Sequence, residues 1–333
     1  MQSFVDGTGS RRYTGGKRET KGVASMILTI LKTVLGLILL MGIGFLCSKV
    51  GLIDRTGEKL LTTLLLQVVQ PVFIVMAYQR AFDRGMLRDF WICMAMAAGA
   101  FLVMILLPYL FFRKGSRDRE VGLLLAAFPN VGFYGIPLIS GIYGDEGVFF
   151  LTTMITMFNL LLWTYGVLLM SGKRDSLKNT LKRLVSPSLI AIPVGLLCFS
   201  FGWLLPEVIA SPLRKLGDMN TPLAMLICGA VAARASFKEG LRDPMVYKIS
   251  LVRSLLVPGA VALCLCKLPV NPILPVVVVL ASGFPVGSAP LMFCVQYDKN
   301  SVLAGECVAL TSVLCCGTTS LMYLFLNLLK GLL

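Results

Sequence analysis

Two apolar stretches carry the residue types and spacing best suited to chemistry. The first reads Phe128-Pro129-Asn130-Val131-Gly132-Phe133-Tyr134-Gly135-Ile136-Pro137-Leu138, and the second Phe284-Pro285-Val286-Gly287-Ser288-Ala289-Pro290-Leu291. Both open Phe-Pro, close Pro-Leu, and meet an aspartate eight residues after the last proline, at Asp145 and Asp298. Proline removes a backbone donor, so such a stretch stays in lipid only where protein or a solvated cavity satisfies the freed carbonyls. A helix broken there presents a half-helix N-terminus with free N–H groups and partial positive charge. We expect these ends around Tyr134–Pro137 and Ser288–Pro290. The chemistry on offer is capture of a carboxylate by dipoles and amides, without a permanently buried lysine. Gly132, Gly135 and Gly287 let the backbones approach, and Asn130 and Ser288 can bond the ligand or the freed carbonyls. With Tyr134, Pro137, Pro285 and Pro290 they form the expected binding set. The plain alternative is that Pro and Gly only kink the helices for packing.

Few formal charges lie inside the apolar spans. Arg253 sits roughly 13 Å into one of them at the helical rise, and Glu306 at similar depth in another. Groups at such depth line a pathway or pair with one another. Arg253 is read either as a contact for a substrate carboxylate or as a structural residue, ion-paired or snorkelling. Glu306 is read either as a proton or ion-coupling site or as the partner in that pair. Gln67, Gln70 and Asn220 could face a substrate or hydrogen-bond between helices, with Thr156 and Asn159 as weaker candidates.

The elements that must position these residues are membrane helices. Mean hydropathy is +0.82, hydrophobic residues make up 56% and charged residues 14%. A soluble fold of this length cannot hide that much apolar surface, so lipid must be the solvent. The net charge of +14 lies between apolar spans and reflects topology; no basic face with interleaved aromatics suggests nucleic acid. Histidine is absent and the 10 cysteines are scattered, which leaves no metal-ligand spacing. No nucleophile beside a base and no Gly-rich phosphate loop occurs, so neither a membrane enzyme nor direct ATP use is favoured, and no cofactor is expected. A sensor would be expected to bring a soluble output domain, and every loop is short.

Ten spans follow a polar tail at residues 1–25, expected to be disordered. Their limits are 26–48, 58–79, 88–112, 119–143, 146–170, 187–204, 211–233, 245–267, 272–296 and 300–329. Residues 26–171 and 187–333 form two five-span halves around a basic loop at 172–186. Five is odd, so the halves have opposite orientation. Gln70-Pro71 answers Thr221-Pro222, and Leu107-Pro108 answers Val257-Pro258, in the same order as the broken spans four and nine. Placing the basic loop in the cytoplasm puts most Lys and Arg on that side, with both termini extracytoplasmic. The bases of the tail oppose this, a conflict that vanishes if translation starts at Met26.

The run Phe128–Leu138 followed by Gly144-Asp145 resembles the Asn-x-Gly-Phe-x-Gly-x-Pro-Leu signature of the auxin efflux carrier family of membrane permeases. Leu40–Leu46 with Gly51-Leu52-Ile53 resembles that family's opening, and Ser186–Ala191 with Asn220–Ala224 and Gly229 the start of its second half. The resemblance covers residues 26–333; the sequence of span nine lies outside its tightest part. It implies ten helices in two inverted repeats, helices four and nine crossing at their prolines. It also implies a scaffold of helices one, two, six and seven beside a moving bundle. Family members carry small organic anions, auxin in plants and dicarboxylates such as malate or malonate in bacteria. The long middle loop of plant exporters is missing here, which favours a bacterial-type carboxylate carrier. The expected function is secondary transport of mono- or dicarboxylates by an elevator-like movement, in the cell membrane, with proton or sodium coupling. A sodium-coupled symporter of the bile-acid type shares the architecture and stays as an alternative. The substrate, direction, coupling ion and oligomeric state stay open, a homodimer included.

Overall fold

The computed structural model describes residues 15–115, 118–171, 187–233 and 243–332. The expected basic loop at 172–186 and the first part of the tail, 1–14, lie outside the described residues, as do Arg234, Lys238 and Arg242. The described residues are helical, with a single isolated β-bridge and no strand.

The chain runs through α1 (Gly15–Lys49), α2 (Arg55–Ala77), α3 (Arg84–Leu110), α4 (Arg119–Ala127) and α5 (Val131–Ser171). It continues through α6 (Pro187–Ser200), α7 (Glu207–Asp218), α8 (Asn220–Ala232), α9 (Pro244–Leu265), α10 (Ile273–Ser282), α11 (Ser288–Gln296) and α12 (Ser301–Leu332). Helix α1 begins within the segment expected as a disordered tail, because a helix already nucleated by an apolar span propagates cheaply into flanking residues.

Among the described residues, five stretches are long and apolar enough to cross a membrane: 28–49, α2, α3, α5 and α9. Helix α12, bent by 57° near its middle, makes a sixth if counted as one span. The expected spans four and nine are interrupted, the first into α4 with the start of α5 and the second into α10 with α11, so the pieces are short. The protein's outer surface is apolar, with Leu39, Leu60 and Leu110 each more than two-thirds exposed, as a lipid-facing surface requires.

Local chemistry accounts for where helices start and bend. Asp54, Asp83 and Asp243 cap α2, α3 and α9 by accepting from the N–H of Gly57, Gly85 and Met245. Pro71, Pro137 and Pro258 each follow a widened π-type turn, at Leu65–Val69, Val131–Gly135 and Val252–Leu256. Each proline lacks an N–H and crowds the carbonyl four residues back, and a wider turn relieves both. Within α5, Gly144 adopts φ +60°, ψ −149°, a conformation reserved for glycine, and divides the helix into two arms.

Packing separates two groups. Helix α1 lies directly against α8, where a Cβ on Gly229 would run into the Met41 carbonyl and one on Gly44 into that of Leu226. Small residues permit this approach, a common device where no hydrophobic effect drives helices together. Helix α2 packs on α6 and α7. The second group joins α3, α5, α9, α10, α11 and α12. Two side-chain clasps tie it together: Asn271 donates to Asp89 at 3.0 Å, and Asn300 donates to Asp118 at 3.0 Å. Each asparagine also caps the helix that follows, accepting from Ile273 or Leu303.

Candidate functional site

Both breaks lie where the prolines require them, and they meet. Phe128 leaves α4 in extended conformation (φ −112°, ψ 104°), since Pro129 cannot donate to continue the helix. Asn130 restarts it as the N-cap of α5, its side-chain oxygen accepting from Phe133 N–H at 3.1 Å. The new N-terminus therefore stands at Asn130–Val131, earlier than the expected Tyr134–Pro137. The asparagine cap acts about one turn before Tyr134, where the expected range begins. In the second break Gly287 is the N-cap residue and Ser288 begins α11, as expected.

The freed backbone groups pair with each other. Asn130 N–H donates to Pro285 C=O at 2.8 Å and Gly287 N–H to Phe128 C=O at 3.2 Å, closing an antiparallel bridge between Pro129 and Val286. Val286 N–H donates to the Thr311 hydroxyl at 3.0 Å, and Thr311 donates to Cys307 C=O at 2.6 Å. The guanidinium of Arg253 donates through Nε to Phe284 C=O at 3.1 Å and through Nη1 to Ala126 C=O at 2.9 Å. A Cβ on Gly287 would lie 3.1 Å from the Pro129 carbonyl, and one on Gly135 2.7 Å from the Phe284 ring. Tyr134 meets that ring edge-on at 5.6 Å.

Beside this junction lies a cavity of about 340 Å³. Asn130, Gly132, Gly287 and Ser288 line it from the two breaks; Gln67 and Gln70 line it from α2, Asn159 from α5 and Ser188 from α6. Phe133, Phe158 and Trp163 supply an aromatic wall, and among the described residues no charged side chain lines it. A Cβ on Gly132 would stand 3.2 Å from the Gln70 amide nitrogen, and Gln70 Oε1 is buried with no hydrogen-bond partner. A second, smaller cavity of about 60 Å³ shares Asn130, Phe133 and Ser288 and takes its other walls from α1, α8 and α12, Cys228 and Ser312 among them.

The expected residues thus divide. Asn130, Gly132, Gly287, Ser288 and Gln70 line the larger cavity together. Gly135, Pro137, Pro285, Pro290 and Tyr134 shape or surround the junction without lining it. Arg253 is fully buried on the carbonyl side of the junction. Asn220 is buried at the start of α8, 1% exposed, with its Nδ2 unpartnered, and lines neither cavity. Glu306 lines neither, although Gly305 and Val308 on the same helix line the smaller one. Thr311 and Trp163 were not read as site residues. A threonine in an apolar span reads as bonding its own helix, which Thr311 also does, and its bond to Val286 has no local signature. Trp163 lines the cavity and packs on Phe293 at 5.0 Å.

Two matches to the family described as membrane transport protein, at residues 29–180 and 174–323, span most of the chain. The chain belongs to this family, that of the auxin efflux carriers. An uncharacterized transporter of Methanothermobacter thermautotrophicus is 25% identical over 291 residues, 85% of this chain and 94% of that protein. An uncharacterized transporter of Methanocaldococcus jannaschii is 23% identical over 62% of this chain and 70% of its own length. Auxin efflux carrier component 8 of Arabidopsis thaliana is 22% identical over 62% of this chain and 71% of its own length. As a member of the auxin efflux carrier family this chain is a multi-pass membrane transporter.

Proposed function

We propose that this auxin efflux carrier family member is a secondary transporter of small organic anions, mono- or dicarboxylates, that works by alternating access. The observation carrying this reading is the character of the larger cavity. Two helix N-termini reach it, at Asn130 and Gly287, and its polar walls among the described residues are amides and hydroxyls, with no charged side chain. Two such ends carry together roughly one unit of positive charge, enough to favour one carboxylate. The aromatic wall suits the carbon skeleton of an organic acid better than an inorganic ion.

Ten spans in two inverted halves account best for the helices. The glycine break at Gly144 divides α5 into the end of span four and the whole of span five, and α10 with α11 repeats the break of α4 with α5. The two cavities support the same symmetry. Ile155 and Asn159 in the larger answer Val308 and Ser312 in the smaller, at the spacing that separates Asp145 from Asp298. Two such correspondences are what inward- and outward-facing forms of one site would give. The group α1, α2, α6, α7 and α8 then serves as the scaffold, and the clasped bundle moves against it.

The test is a thermal-shift screen of purified protein against mono- and dicarboxylates, since a ligand stabilises the state it binds. Compounds that shift the midpoint go to counterflow in proteoliposomes, with and without proton and sodium gradients. Exchange of no carboxylate, with neutral or cationic solutes exchanged instead, would overturn the proposal.

A further inference from the structure

Arg253 is 0% exposed and forms no ion pair among the described residues. A buried cation so deep in a membrane protein must be compensated. Its two partners are backbone carbonyls with one origin. Ala126 C=O would accept from residue 130 in a continuous helix, but Asn130 N–H is turned to Pro285. Phe284 C=O lies just past the end of α10, where the second break leaves it. Arg253 therefore binds the carboxyl-terminal end of each broken helix, and those two ends carry together roughly one unit of negative charge. One guanidinium meets both.

We propose that Arg253 is a positioning residue for the anion site, clamping the C-terminal ends of α4 and α10 together and cancelling their negative charge. The opposite ends, at Asn130 and Gly287, then face the cavity with their positive charge unopposed. This inference rests on the anion reading above, but the clamp itself is measurable without a ligand. Arg253 reaches its carbonyls from the π-type turn Val252–Leu256, and Pro258 in the same helix packs within 3.2 Å of a Cβ built on Gly283. The clamp is thus carried by α9, which contributes no residue to either cavity.

The experiment is hydrogen exchange by mass spectrometry on the whole protein in nanodiscs, comparing wild type with Arg253→Met, Arg253→Lys and Arg253→Gln. Peptides covering 126–132 and 284–290 should exchange at least about tenfold faster together in Arg253→Met, while peptides within 28–49 stay unchanged. Should that variant fail to fold, Lys and Gln give the same comparison with smaller effects, still on both peptides. Carboxylate affinity, where wild type binds one, should follow charge: Lys close to wild type, Gln weakened about tenfold or more. Unchanged exchange in both peptides, or a change in one alone, would overturn the clamp. Lost affinity with full protection would make Arg253 a direct substrate contact instead. A wild-type protein that binds no carboxylate would sink the anion reading and leave the exchange result to decide the clamp.

Discussion

Pro129 and Val286 face each other in an antiparallel bridge, and each turns its own backbone nitrogen away from the pair. Pro129 has no hydrogen there and needs no partner. Val286 does, and Thr311 supplies the acceptor at 3.0 Å. The two halves of the junction are thus satisfied by different means: proline in one, a threonine from α12 in the other.

Replacement of Thr311 by Val keeps the shape and removes the acceptor. The buried Val286 N–H is left unsatisfied, at a cost of about 1–3 kcal/mol. Thermal denaturation in detergent should show the loss, and faster exchange of peptides covering 284–290 should place it. A midpoint equal to wild type would mean that Val286 finds another partner.

Gly135→Ala puts a methyl against the Phe284 ring, 2.7 Å from its nearest atom. The expected loss is about 1–3 kcal/mol from overpacking. Phe284→Leu alone should also destabilise, yet the double variant should be more stable than the sum of the two losses, because the smaller side chain makes room. A strictly additive double-mutant cycle would rule out the contact as the cause.

Asn130→Asp separates fold from binding. Aspartate caps a helix as well as asparagine does, so stability should stay within about 0.5 kcal/mol of wild type. A carboxylate at the cavity wall repels an anion, and affinity for carboxylates should fall by about tenfold or more. Asn130→Ala should instead lose about 1 kcal/mol of stability through the missing cap to Phe133. Undiminished carboxylate binding by the aspartate variant would place the anion elsewhere.

Asp89→Ala removes the acceptor of Asn271 in a site only 8% exposed. A loss of about 1.5–3 kcal/mol is expected for a hydrogen bond to a charged group. Asn271→Ala should cost a similar amount and also uncap α10. Equal stability of wild type and Asp89→Ala would show that the clasp does not hold the bundle.

Both Phe-Pro breaks were legible because proline acts locally: it removes a donor whatever surrounds it. The glycines that admit close packing, Gly287 and Gly135, were legible by their place beside the prolines of the breaks; Gly36, Gly42 and Gly99, elsewhere in apolar helices, meet nothing within 4 Å. The start of α5 was misplaced by one turn because capping by Asn130 competes with the proline signal and acts first. The ten-span reading met a structure in which length and composition alone mark out five or six stretches, because broken helices are individually too short to register.

Composition, proline spacing and glycine placement thus determined by themselves that the chain is a helical membrane protein with two matched interruptions. Which groups those interruptions bind was decided by tertiary structure alone. The pairing of Asn130 with Pro285, the acceptor from Thr311, the aromatic wall at Trp163 and the two carbonyls held by Arg253 all join residues far apart in the chain. A broken helix advertises in sequence that its backbone needs partners, because the need is local. The partners are chosen by whichever distant helix packs against the break.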